Sequence, residues 1–192
     1  MSTQYEEKLI LDTMKKYCDI ISPEYPDVNE VKEVLTQLSD EQKLDILEQL
    51  HLYTITTPLH CAAYRNHPGI ITTLLMSLQS EYRLPQLLMD KCSTPLHTAS
   101  ERGNIESVKV ILDCLTADQQ VQLMYVQCEG ETAIQCAERR GLTYIATVLT
   151  EYEKSARKWH KKRQTKEKLS HHQTVDERKI NNETSNLQTT GK

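Results

Sequence analysis

The 192 residues include five Gly, six Pro and no Phe, a composition that fits one elongated domain and offers nothing for an all-β alternative. The formal charge of −4 hides an asymmetry: residues 1–152 hold twelve Lys/Arg against twenty-two Asp/Glu, whereas residues 153–192 hold eleven against five. The opening Met1-Ser2-Thr3-Gln4-Tyr5-Glu6-Glu7 has neither a basic start nor an apolar core, and no membrane-spanning run is visible, so neither export nor insertion is expected.

Tyr5, Leu9, Met14, Tyr17 and Ile21 share one face of a predicted helix that ends near Ser22-Pro23. Val28, Val31, Val34, Leu35 and Leu38 predict a second helix. Ser39-Asp40-Glu41-Gln42 then fits a capping box, with Gln three residues after the cap, and Leu44, Ile46 and Leu47 follow as the apolar side of a further helix. The second helix, EVKEVLTQL, imitates SVKVILDCL much later in the chain. Residues 1–52 therefore read as a degenerate repeat that caps the amino-terminal end of an array.

A six-residue phrase comes next and recurs. Thr57-Pro58-Leu59-His60-Cys61-Ala62 returns 37 residues later as Thr94-Pro95-Leu96-His97-Thr98-Ala99, and a worn copy, Thr132-Ala133-Ile134-Gln135-Cys136-Ala137, follows after another 38. Self-similarity at such a period is the signature of a solenoid. Each Thr is placed to accept a first-turn amide, and Pro58 and Pro95 occupy a first helical position where no donor is lost. The helix should stop at Asn66, Gly103 and Gly141, residue types that tolerate a left-handed C-terminal position, and Pro68 reinforces the first stop. A second helix follows, with Ile70, Ile71, Leu74 and Leu75, then Val108, Ile111 and Leu112, then Ile145, Val148 and Leu149 on its apolar side. Each copy is a helix–turn–helix unable to bury that side alone, so Leu59, Leu96 and Ile134 are expected at equivalent buried positions. The links also look helical. Thr116-Ala117-Asp118-Gln119 repeats the capping box ahead of Val121, Leu123 and Met124, and Ser80 starts a poorer stretch with Leu87 and Leu88.

From Thr57 to Thr150 the phrases resemble ankyrin repeats, whose pattern is T-P-L-H-x-A-A, a Gly-His slot, then an Ile/Val pair and a Leu pair; one register holds over 94 residues. The resemblance implies an all-α, ankyrin-type helical solenoid over 1–152, with repeats near 53–89, 90–127 and 128–152, followed by a basic helical extension and disordered tail over 153–192. The period exceeds the family's usual length of about 33 residues. The excess falls in the links, so the family's hairpin fingers should be altered. The resemblance further implies a module that binds another protein through a concave surface of first helices and loops, with no cofactor. In the family the two positions after A-A face that groove; here they are Tyr64 and Arg65, Glu101 and Arg102, and Arg139 and Arg140. Arg65, Arg102 and Arg140 would stack into a ladder suited to an acidic segment, because guanidinium groups offer bidentate bonds to carboxylates. Tyr53, Asp90, Lys91 and Glu129, ahead of each Thr, would flank it. The competing reading is a solvated face whose arginines pair with Glu101 and Glu138, each pair contributing about 0–1 kcal/mol.

Nothing calls for an enzyme. The six cysteines contain no C-x-x-C and sit at no zinc-ligand distance from a His on the same helix face. Cys61 and Cys136 fill the same slot as Thr98, which argues for packing. His60 and His97 take the structural role of the family's histidine, bonding to the turn of their own or the adjoining repeat, and Gln135 can donate there without being a base. No phosphate-cradling Gly loop, H-E-x-x-H or nucleophile elbow appears. A monomer is expected, cytoplasmic with reduced thiols, with the nucleus as alternative. That alternative comes from KSARKWHKKRQTKEK, where Arg157, Lys158, Lys161, Lys162 and Arg163 surround Trp159. This run would continue the last helix and serve a nuclear or nucleic-acid role, or else contact the acidic body as a solvated tail. A membrane role is weaker, since an apolar stripe is missing.

Overall fold

A computed structural model describes residues 27–53, 57–88, 93–159 and 161–163. The helix expected over residues 5–21 lies outside them, as do Asp90, Lys91 and the chain beyond residue 163. In chain order the described helices are α1 (Val28–Thr36), α2 (Asp40–Tyr53), α3 (Pro58–Tyr64), α4 (Pro68–Met76), α5 (Ser80–Leu87), α6 (Pro95–Arg102), α7 (Ile105–Asp113), α8 (Ala117–Met124), α9 (Ala133–Arg139) and α10 (143–159 and 161–163). Among the described residues no strand forms, and the fold is all-α.

The helices stack in three rows. First helices α3, α6 and α9 touch in turn, second helices α1, α4 and α7 do the same, and the third-helix row brings α5 against α8. The starts are set by chemistry local to each phrase. Thr57, Thr94 and Thr132 are extended N-caps whose hydroxyls accept the amides of His60, His97 and Gln135. The stops are equally local: Asn66, Gly103 and Gly141 all have positive φ, at 56°, 75° and 71°. Ser39 and Thr116 close the capping boxes expected of them, with Gln42 and Gln119 reaching back to the cap amide at 2.9 and 3.0 Å. At α5 the cap position is Gln79, which makes no side-chain cap, and Pro85 sits inside the helix. A third helix per link is thus present. A remnant of a hairpin survives once, where Cys128 and Glu131 pair across Glu129 and Gly130, both at positive φ.

One core runs through the described stack. Ile71, Leu75, Leu96, Val108, Ile111, Leu112, Ile145 and Leu149 are all fully buried, as is Leu87 under α5. Ile134 departs from its expected equivalence with Leu59 and Leu96: it is only half-buried, because among the described residues no further first helix covers α9. Val28 is exposed, and Val34 and Val148 are half-buried at the edges of their apolar faces. The core also continues past residue 152. Ala156 is buried in it, and α10 runs unbroken through the boundary expected between 152 and 153.

Candidate protein-binding surface

The two histidines tie one repeat to the next. Nδ1 of His60 lies 2.8 Å from Thr57 Oγ1 and its Nε2 lies 3.1 Å from the Ser93 carbonyl; His97 repeats this with Thr94 Oγ1 at 2.8 Å and the Glu131 carbonyl at 3.1 Å. A carbonyl can only accept, so Nε2 carries the proton and Nδ1 accepts from the threonine hydroxyl. Burial holds the His97 imidazolium below the ordinary histidine range, which favours this neutral tautomer. Gln135 makes no such bridge. Its Oε1 instead accepts the Thr132 amide at 2.8 Å, closing a box within its own repeat, where a donor role had been expected.

Polar bonds about forty residues apart fix the rotation between repeats. Asn104 Nδ2 donates to the carbonyls of Ala63 and Tyr64 at 2.8 and 3.0 Å, Ser107 Oγ donates to Asn66 Oδ1 at 3.0 Å, and Tyr144 Oη donates to the Gly103 carbonyl. These bonds bring the C-terminal ends of α3, α6 and α9 into one row.

That row carries the six residues expected to face the groove. Arg102 sits over Tyr64, its guanidinium carbon 3.6 Å from the ring centroid. Arg139 is held between two carboxylates, donating from Nη2 to Glu101 at 2.7 Å and from Nε to Glu131 at 2.8 Å. Arg140 approaches Glu101 at 3.9 Å. Arg65 is half-buried at the C-cap of α3, beside His67. Of Arg65, Arg102 and Arg140, only Arg140 comes near Glu101; the close pairs with Glu101 and Glu131 belong to Arg139. Arg102 and Arg139 also lie in the last turn of their helices, where the dipole favours a cation. Of the flanking residues, Glu129 is exposed in the tight turn before α9 and Tyr53 ends α2.

Sequence reasoning missed Glu131, whose only signal was its place one residue ahead of Thr132. It also missed Asn104, the residue after the Gly slot. The Arg139 hydrogen bond draws the Glu131 carboxyl below the usual carboxylate range.

Cys61, Cys114 and Cys136 are buried thiols, and burial pushes Cys136 up to about 11, far from a nucleophile's range. Among the described residues no cluster of His, Cys, Asp and Glu could hold a metal ion. None of their helices is long and apolar enough to cross a membrane. The basic run is helical through residue 163, apart from the undescribed position 160. Arg157 pairs with Glu153 at 2.7 Å and sits 5.0 Å from the Tyr125 ring, and Arg163 pairs with Asp118 on α8. Lys158, Lys161 and Lys162 are exposed.

No curated protein matches the chain. A family model for the ankyrin repeat matches residues 56–79 and 92–122, the spans that hold α3, α4 and most of α6 to α8. With their stacked helix pairs, left-handed stops and bridging histidines, these two spans are ankyrin repeats.

Proposed function

We propose that this protein is a non-enzymatic, monomeric cytoplasmic module that binds another protein across the ends of α3, α6 and α9. The observation that carries the reading is the stack of Arg102 on Tyr64. Stacking uses the face of the guanidinium and leaves its in-plane N–H donors for a partner, with part of the side-chain entropy already lost. Arg65 and Arg140 extend the row on either side, on a body rich in acidic residues. A partner segment that presents carboxylates fits this row through bidentate bonds. The flanking positions Tyr53, Asp90, Lys91 and Glu129 would adjust specificity at its rim.

The test is quantitative capture from one lysate by the full chain and by R65E/R102E/R140E. The expected result is at least a ten-fold loss of the principal bound protein, with unchanged far-ultraviolet circular dichroism. Undiminished capture by the folded triple variant removes this row as the binding site.

A further inference from the structure

The outer face of α10 is left over by this reading. Residues 154, 158, 161 and 162 follow helical spacing, so one side of α10 is basic. Its cations divide by direction. Arg157 and Arg163 turn to the body, where they meet Tyr125, Glu153 and Asp118. Buried Ala156 lies on the same inner side, and Tyr152 donates to Asp113 at 2.7 Å. Lys154, Lys158, Lys161 and Lys162 fall on the opposite side and are all exposed. Among the described residues of α10, Glu151 is an acid on that side. It lies 3.4 Å from Lys154, but both side chains are 67% exposed, so solvent screens the pair and the face stays positive.

We propose that this lysine face docks on the phosphate backbone of duplex nucleic acid. The helix is anchored before any ligand arrives, so the four ammonium groups are presented over about 12 Å at 1.5 Å per residue. A duplex carries about one charge per 1.7 Å of axis, so each ammonium can reach a phosphate. Lysines act as mobile point charges, and the face offers no bidentate reader of base edges, so binding is independent of sequence. An anionic membrane is disfavoured because Trp159 is the one large apolar side chain exposed along residues 150–163 among those described.

The test measures anisotropy of a labelled mixed-sequence duplex of about 20 base pairs with the full chain over a salt series; at about −0.9 per phosphate, four contacts give a slope of log K against log salt near −3.6. K154Q/K158Q/K161Q/K162Q should bind at least ten-fold more weakly at low salt, while R65E/R102E/R140E keeps most of the affinity. Absent binding by the natural chain at low salt overturns the proposal. So does undiminished binding by the lysine variant, which would place the contacts in residues 164–192. Equal or tighter binding to phosphatidylserine vesicles or to polyglutamate, compared with the duplex, also overturns it.

Discussion

The first two repeats and the last share one phrase but close it differently. In the first two, a histidine spends one ring nitrogen on its own threonine and the other on a carbonyl of the next repeat. In the last, Gln135 folds back on the Thr132 amide and joins nothing further along. The positions that follow change in step. Ala63 and Ser100 are fully buried, whereas the equivalent Glu138 is exposed and helps line an open cleft of about 390 Å³ with Thr143, Thr147 and Glu151. A polar outer face is what a terminal repeat needs. Among the described repeats, two positions thus set the last copy apart: the bridging residue and the one three places on.

Truncation should show that difference most strongly. Leu96 is fully buried with first helices on both sides, so L96A should cost about 2–5 kcal/mol in urea unfolding. Ile134 is half-buried at the open side of α9, and I134A should cost roughly 1–2 kcal/mol. Equal losses would mean that the end repeat is covered after all.

The bridge itself comes next. H97Q lets the amide close on Thr94 as Gln135 does on Thr132, but removes the bond from His97 to the Glu131 carbonyl, which keeps the Cys128 amide at 2.8 Å, a loss of about 0.5–1.5 kcal/mol. The reverse exchange, Q135H, has no described carbonyl ahead of it and should stay within about 0.5 kcal/mol in the same assay. A smaller contrast concerns the stops. Gly103 and Gly141 are both left-handed, so alanine costs about 1–2 kcal/mol at either. At Gly103 a Cβ would also meet Tyr144 Oη at 3.3 Å, at the bond that joins two repeats, whereas nothing lies within 4 Å at Gly141. Thermal unfolding should therefore rank G103A below G141A.

These contrasts mark what the sequence could disclose. Caps, stops and third helices rest on partners three or four residues apart, so Thr94, Gly103 and the Thr116 box were legible directly. The period spaces Arg65, Arg102 and Arg140 at intervals of 37 and 38 residues, which is all a repeat can disclose of them. Which arginine stacks and which is clamped was not legible. Arg102 on Tyr64 and Arg139 between Glu101 and Glu131 depend on the rotation between repeats, set by bonds from Asn104 and Ser107 about forty residues away. The half-burial of Ile134 was hidden for a related reason, because pattern gives the face of a residue and not whether a neighbour covers it.

Neutral imidazoles tie the first turns of α3 and α6 to the repeat that follows each, and nuclear magnetic resonance titration of His97 tests that tie directly. Burial lowers its folded pKa, while the unfolded chain takes up the proton near 6.5. The bridge therefore contributes fully above pH 6.5 and is lost as pH falls through the lowered folded value. The account predicts an Nε2–H tautomer at neutral pH and a midpoint below 6.5. An Nδ1–H tautomer, or titration at or above 6.5 in the folded protein, would contradict it.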